Sequence, residues 1–238
     1  MDNLPLLKVK IFTIFPDVFP GALGVSVIGE ALKNNIWSLE VINIRDFAYD
    51  KRGTVDDTPY GGGAGMVMKA DVIANAIDNN IKNIAHTKFI YLSPRGTPLK
   101  QKSVKQFSVE KDLAIICGRY EGIDQRVIDE YNMEEISIGD YVLSGGEIPA
   151  MVLIDAIVRN LPSVLGDNQS LEEESFGNSG NSEFDNLLEY PHYTKPQIWR
   201  SRKVPQILLS GHHQNIKNWR LQKALELTGQ RRKDLLKD

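Results

Sequence analysis

One stretch of this chain has the residue types that allow main-chain atoms to approach a ligand closely. It runs from Ile136 to Pro149, starts as an alternation of apolar and polar residues, and breaks at Gly139 and at Gly145 and Gly146. Glycines at such breaks permit positive φ angles and leave no Cβ between backbone and ligand. The stretch predicts either a pocket built from main chain between a strand and a helix, or an ordinary strand–turn–helix connection, which glycine pairs often mark.

A second glycine-rich segment, 45–65, presents two adjacent carboxylates, Asp56 and Asp57. It is not a P-loop, because that loop needs Gly-Lys-Ser/Thr and here Gly65 is followed by Met66. A dinucleotide fingerprint is excluded as well, since no strand leads directly into the glycines. A long segment with so little regular pattern is usually functional or mobile, so we interpret it as a flexible lid or substrate loop.

The composition is that of a soluble globular protein, with 238 residues, 42% apolar and 25% charged. This length allows one substantial core and a smaller appended unit. No apolar run approaches the roughly 20 residues of a membrane span, and the N-terminus lacks the basic and small-residue regions of a secretory signal. The single cysteine, Cys117, excludes an intrachain disulfide framework. We therefore expect a cytoplasmic protein with no membrane partner.

The net charge of −3 conceals a strong asymmetry along the chain. Residues 166–190 include seven acidic and no basic residues, whereas 195–238 include eleven Lys or Arg against three acids. This predicts three regions: an α/β domain over 1–165, a flexible acidic linker over 166–190, and a basic helical domain over 191–238. A basic tail suggests a polyanionic partner, although a solvated helical face would also account for the charge.

The order of predicted elements favours an α/β sheet. Apolar patterning predicts strands near 8–15, 39–44, 88–92, 113–117 and 136–138, helices near 24–35, 71–80, 99–107, 122–131 and 149–160, and tail helices near 215–227 and 231–236 with Gly229 as the stop between them.

Three of these strands end in loops that contain glycine or proline. The loops follow Leu92, Cys117 and Ile138. Ligands bind beyond the carboxyl ends of parallel strands, so we expect the three loops to converge on one pocket.

The motifs, taken together and in order, match one family over nearly the full length. They are Thr54-Val-Asp-Asp-Thr-Pro-Tyr-Gly-Gly-Gly, Tyr91-Leu-Ser-Pro, Cys117-Gly-Arg-Tyr-Glu-Gly-Ile-Asp, Ile136-Ser-Ile-Gly-Asp-Tyr-Val-Leu-Ser-Gly-Gly-Glu, Pro191-His-Tyr-Thr and Leu209-Ser-Gly-His. The chain resembles the bacterial tRNA (guanine-N1)-methyltransferases of the TrmD family, in the SPOUT class.

The resemblance implies a fold, a reaction and partners. The fold would be a SPOUT-type parallel sheet with a C-terminal trefoil knot, plus a small all-helical C-terminal domain. The reaction would be S-adenosyl-L-methionine (AdoMet)-dependent methylation of N1 of guanine at tRNA position 37, carried out by a homodimer. The alternatives are a SPOUT enzyme for another RNA position and a non-catalytic RNA-binding homologue.

The resemblance also places AdoMet on three segments of this chain. They contain Tyr91, Leu92, Ser93 and Pro94; Gly118, Tyr120, Glu121 and Gly122; and Ser137, Ile138, Gly139, Asp140, Tyr141, Val142, Leu143, Gly145, Gly146 and Pro149.

Guanine N1 carries a proton at neutral pH, so its methylation calls for a carboxylate base and a cationic or N–H donor for the charge at O6. The resemblance implies an aspartate in a Glu-Asp-Ser-Phe motif and an arginine fifteen residues before it. This chain has Glu174 at the aspartate position and Arg159 fifteen residues earlier. Glutamate places its carboxylate one methylene further out, and a misplacement of about 1 Å can cost of order a hundredfold in rate. We assign the base to Glu174, with Glu173 as its rival.

The remaining predicted contacts face the tRNA. The resemblance puts Asp56 and Asp57 against the base that precedes the target guanine. The candidates for phosphate contacts are Arg119, Arg200, Arg202, Lys203, Lys217, Arg220, Arg231, Arg232 and Lys233. We predict no metal site, because the histidines lack paired ligand spacing.

Overall fold

A computed structural model describes residues 4–165, 174–177 and 182–236. The chain forms two compact units, 1–165 and 166–238. Glu173 and parts of the predicted linker lie outside the described residues.

The first unit is built on a five-stranded, entirely parallel sheet in the order β2-β1-β6-β5-β7. This confirms the predicted α/β class. The strands are β1 (Leu7–Thr13), β2 (Trp37–Asn43), β5 (Lys88–Pro98), β6 (Asp112–Ile116) and β7 (Glu134–Ser137), and a separate antiparallel pair is formed by β3 (Asp56–Asp57) and β4 (Val67–Met68).

Helices cover both faces of this sheet. Successive strand residues point to opposite faces, so Leu113 and Ile115 belong to one apolar cluster while Ala114 and Ile116 belong to another. Helices α1 (Ser26–Lys33), α3 (Gln101–Phe107) and α5 (Glu147–Val158) pack in the first cluster, and α2 (Ala70–Asn80) and α4 (Gln125–Glu130) pack in the second. Burial on both faces explains why these strands are almost continuously apolar.

Two boundaries differ from prediction beside the predicted pocket. Strand β5 does not end at Leu92 but continues to Pro98, with a register shift between Leu92 and Thr97 against β7. Helix α5 begins at Glu147, two residues before the predicted start at Pro149. Pro149 still lies in the first turn, where a missing N–H leaves no helical hydrogen bond unmade.

The segment 45–65 is held near its middle by a short antiparallel β-ladder. Asp56 and Asp57 pair with Met68 and Val67 in the β3–β4 ladder. The Met68 N–H donates to the carbonyl of Gly122 over 2.9 Å. The carboxylates of the predicted loop are therefore held on a short ladder beside the 118–122 segment.

The second unit has its own small core around one long helix, α6 (His213–Arg231). Gly229 lies inside α6, so its prediction as a helix stop is wrong. The unit is also not all-helical, because β8 (Ile198–Trp199) and β9 (Arg202–Lys203) form an antiparallel hairpin. Its apolar cluster consists of the buried residues Phe184, Leu187, Tyr190 and Ala224, so the stretch 184–190, predicted as linker, packs as part of this unit. No helix within the described residues is both long and apolar enough to cross a membrane.

Candidate active site

A cavity of about 260 Å³ is lined by residues 91–94 of β5 and by the segments that follow β6 and β7. Residues directly after Leu92, Cys117 and Ile138 meet here as predicted, although those after Leu92 belong to β5 and not to a loop. Its lining consists of Tyr91, Leu92, Ser93, Pro94, Gly118, Arg119, Tyr120, Glu121, Gly122, Ile136, Ser137, Ile138, Gly139, Tyr141, Val142, Leu143, Ser144, Gly145, Gly146 and Pro149.

The cavity lining overlaps closely with the residues predicted to bind AdoMet. Among those, only Asp140 is missing from the lining. The structure adds Arg119, Ile136 and Ser144. Ile136 and Ser144 directly neighbour predicted residues in the sequence, so their position in the chain could have identified them as lining residues.

Two glycines leave room for the buried ring of Tyr91. An ideal Cβ at Gly118 would lie 2.8 Å from Cε2 of Tyr91, and one at Gly122 would lie 2.9 Å from its hydroxyl oxygen. Gly122 also has a φ of +118°, which disfavours any other residue. Burial raises the pKa of the Tyr91 phenol, so it stays neutral as a cavity wall.

The loop after β7 is folded on itself by local hydrogen bonds. The Gly139 N–H donates to Oγ of Ser137 over 3.2 Å, and the hydroxyl of Tyr141 donates to the Ile138 carbonyl over 3.2 Å. A Cβ at Gly139 would lie 2.5 Å from the Tyr141 ring, so glycine is required there. The loop presents main chain to the cavity.

Arg119 was predicted to contact tRNA phosphate, but its guanidinium faces the protein. Nη1 donates to the carbonyl of Ser144 over 3.1 Å, and Nη2 lies 3.0 Å from Oε2 of Glu147. The Glu147 side chain is almost completely buried. Arg119 thus joins the loop after β6 to the start of α5.

Asp57 lines a second, open cavity of about 1230 Å³ in the first unit. Its walls also include Tyr60, Lys69, Arg126 and Tyr131. The segment 118–122 lines the first cavity and the residues directly after it line the second. The cavity that Asp57 lines and the predicted cofactor pocket are therefore lined by consecutive parts of the same segment of the chain.

The two predicted catalytic residues belong to different units. Arg159 directly follows α5, and its N–H donates to the Asp155 carbonyl over 3.2 Å. Glu174 starts a turn in which its carbonyl accepts from the Gly177 N–H over 3.1 Å.

The turn that carries Glu174 is anchored to a later segment of the chain. The Phe176 N–H donates to the Leu187 carbonyl over 2.9 Å, and the Glu189 N–H donates to Oγ of Ser175 over 2.9 Å. The Glu174 backbone is therefore held by the core of the second unit.

The predicted phosphate contacts of the tail fall into two groups. Some are engaged within the second unit, since Lys217 pairs with Glu183, Arg232 pairs with Asp234, and Arg220 stacks on the Tyr190 ring. Arg200, Arg202, Lys203, Arg231 and Lys233 are exposed, and no ion pair joins them to another described residue.

Among the described residues, no group of three His, Cys, Asp or Glu is arranged to hold a metal ion. His192 contacts Glu189, with 2.7 Å between Nε2 and Oε1. Cys117 is fully buried in the core, and burial raises the pKa of its thiol well above the usual range.

Comparison with known proteins identifies the family. The family model described as tRNA (Guanine-1)-methyltransferase TrmD matches residues 7–238. A tRNA (guanine-N(1)-)-methyltransferase of Wolbachia pipientis subsp. Culex pipiens is 52% identical over 96% of this chain and 97% of its own. Enzymes of the same name from Rickettsia prowazekii and Mesorhizobium japonicum are 51% and 52% identical, over 99% and 96% of this chain and 100% and 96% of their own. With three segments of the chain around one cavity and this match along almost its whole length, the chain belongs to the tRNA (guanine-1)-methyltransferase TrmD family.

Proposed function

We propose that this protein transfers the methyl group of AdoMet to N1 of guanine at position 37 of tRNA. The observation that carries the proposal is the cavity lined by part of β5 and by two glycine-containing loops, in a chain about half identical to enzymes named for this reaction.

The residues around the cavity fit AdoMet. Adenine has donor and acceptor edges that backbone N–H and C=O groups can match, and the glycines at 118, 139 and 146 line the cavity with main chain alone. The bound donor would supply an electrophilic methyl group on a cationic sulfonium. A cation needs no anion-binding loop, which agrees with the lack of a P-loop motif in 61–65.

Glu174 and Arg159 have the roles that guanine requires. A carboxylate at Glu174 accepts the N1 proton, and the guanidinium of Arg159 stabilises negative charge at O6. The backbone anchoring of the Glu174 turn supports this, because a base must be held in place to act.

An exposed hairpin supports tRNA as the partner. Trp199 is 57% exposed and Arg200 stacks on its ring with 5.0 Å to the centroid. Arg202 and Lys203 follow on the opposite strand. Aromatic rings among cations suit unstacked bases and phosphates, so we assign this surface to RNA. On the first unit, Asp57 would read the base before the target.

We also propose a homodimer whose cofactor site is a trefoil knot, as the family resemblance implies. Apolar side chains on the first unit support a partner surface. Ile148 and Val152 lie one turn apart on α5 and are 56% and 45% exposed, and Val25 is 64% exposed. Such exposure is typical of protein interfaces. We propose a cytoplasmic location, because the proposed substrate is a tRNA.

The test is a transfer assay with labelled AdoMet and two tRNA transcripts that differ only at position 37, guanine or adenine. We expect label in the guanine transcript alone, and digestion should yield 1-methylguanosine. Label in both transcripts would favour a SPOUT enzyme for another RNA position. Tight tRNA binding without label would favour the non-catalytic homologue. This alternative matters because Glu174 stands where the family resemblance implies an aspartate.

A further inference from the structure

A buried carboxylate beside the cavity, that of Glu147, has no role in the chemistry above. Glu147 is 2% exposed and does not line the cavity. Its Oε1 accepts a 2.7 Å hydrogen bond from the hydroxyl of Thr13, which is fully buried, and its Oε2 pairs with Arg119. A charge is kept in such surroundings only where its partners offset the lost hydration.

The guanidinium of Arg119 is seated against two other residues. Its Cζ lies 4.4 Å from the ring centroid of Phe15. An ideal Cβ at Gly145 would lie 2.3 Å from Nε and 2.6 Å from Cδ of Arg119. Nε is buried and has no hydrogen-bond partner in the described part of the chain. The two terminal nitrogens therefore fix the orientation of the side chain, one through Glu147 and one through Ser144.

The strip 144–146 lies directly on the end of β6. The Gly146 N–H donates to the Gly118 carbonyl over 3.0 Å, and a Cβ at Gly146 would lie 2.7 Å from Cα of Cys117. The strip 144–146 and the segment 118–122 both line the cavity. Arg119 adds the side-chain link between them.

We propose that Glu147 is a positioning residue for the methyl donor. It holds Arg119, and Arg119 holds the strip 144–146 as one wall of the pocket. This inference rests on the proposed function, which makes AdoMet the occupant. Without the charge of Glu147, the half-buried guanidinium of Arg119 has no anionic partner and turns towards water. The Ser144 carbonyl then loses its donor, and the strip 144–146 becomes less firmly held.

The first experiment measures AdoMet binding by calorimetry in the full-length protein and in Glu147→Gln. We expect at least tenfold weaker binding, with KM for AdoMet raised to match and kcat at saturating AdoMet changed much less. Glu40→Gln is the control, since Glu40 pairs with Lys10 at the surface with its side chain 55% exposed, and it should bind as the wild type does. A folded Glu147→Gln protein with wild-type AdoMet affinity overturns the inference.

A second experiment does not depend on the folding of that variant. Gly145→Ala should weaken AdoMet binding in the wild type, because the new Cβ meets Arg119. In an Arg119→Ala background the same change should cause no further loss, because the atoms that it meets are gone. Equal losses in both backgrounds overturn the inference. A wild-type protein that fails to bind AdoMet would instead overturn the proposed function.

Discussion

The ring of Tyr91 fills the space that a side chain at Gly118 would need. An ideal Cβ at Gly118 would lie 2.8 Å from Cε2 and 2.9 Å from the hydroxyl oxygen of Tyr91. Tyr91 is 5% exposed, so its ring has little room to move away. This packing places the main chain at Gly118 against the cavity.

We predict that Gly118→Ala lowers AdoMet affinity at least tenfold, which is about 1.4 kcal/mol. The new methyl group pushes either the Tyr91 ring or the loop into the cavity. Calorimetry with AdoMet measures the loss. Gly229→Ala is the control, because the nearest atom to a Cβ there is 3.8 Å away. If Gly118→Ala bound AdoMet with wild-type affinity, the packing at Gly118 would not affect binding of the methyl donor.

The second prediction concerns the base. Glu174→Gln should lower methyl transfer by about 10²- to 10⁴-fold, since an amide cannot accept the N1 proton. AdoMet affinity should be nearly unchanged, because the proposed role of Glu174 is towards guanine and not towards the methyl donor. A tritium-methyl transfer assay and calorimetry measure the two quantities.

Glu174→Asp is the matched variant, because it keeps the carboxylate and restores the family's residue. We expect it to transfer methyl groups faster than Glu174→Gln but more slowly than the wild type, because its carboxylate lies one methylene closer to the backbone. If Glu174→Gln turns over near the wild-type rate, Glu174 is not the base, and Glu173 becomes the residue to test.

The sheet was predictable because buried parallel strands carry long apolar runs with β-branched residues. The segments ending at Leu92 and Cys117 have that pattern, and the residues directly after each of them line the cavity. An apolar run does not indicate how the chain continues beyond it. It did not predict that β5 extends to Pro98, because that extension depends on pairing with β7.

The internal contacts of Arg119 could not be predicted either. In the sequence it is a cation in a glycine-rich loop, which suits a phosphate contact. Its partner Glu147 is distant in sequence, and only the folded chain shows that Arg119 is paired with a buried carboxylate. The predicted helix stop at Gly229 was wrong because the low helix propensity of glycine is only a small local preference. Packing of α6 within the second unit outweighs that preference.

The third prediction concerns tRNA binding by the second unit. Its affinity for tRNA should fall as salt rises, because each phosphate contact releases a counterion. Arg202→Glu and Arg231→Glu should each weaken binding and reduce the salt slope by about one. Filter binding over a salt series measures both.

Glu226→Gln is a suitable control for these charge changes, because Glu226 already pairs with Lys223 on α6. It should leave the slope almost unchanged. A flat dependence of affinity on salt in the wild type would contradict the assignment of this surface to phosphates.

The last prediction links a buried hydroxyl to the base. Oγ1 of Thr228 accepts from the Leu188 N–H over 2.8 Å and donates to the Ala224 carbonyl over 2.7 Å. Thr228→Val leaves the Leu188 N–H without a partner, at a cost of about 1–3 kcal/mol. Because Leu187 and Glu189 hold the turn of Glu174, we expect faster hydrogen exchange at Leu188 and a lower kcat, with AdoMet affinity unchanged. Thr87→Val is the control, since water can replace its bond to the Asn83 carbonyl. An unchanged exchange rate at Leu188 would mean that the hydroxyl does not secure this segment, and a normal kcat despite faster exchange would mean that the turn of Glu174 does not depend on it.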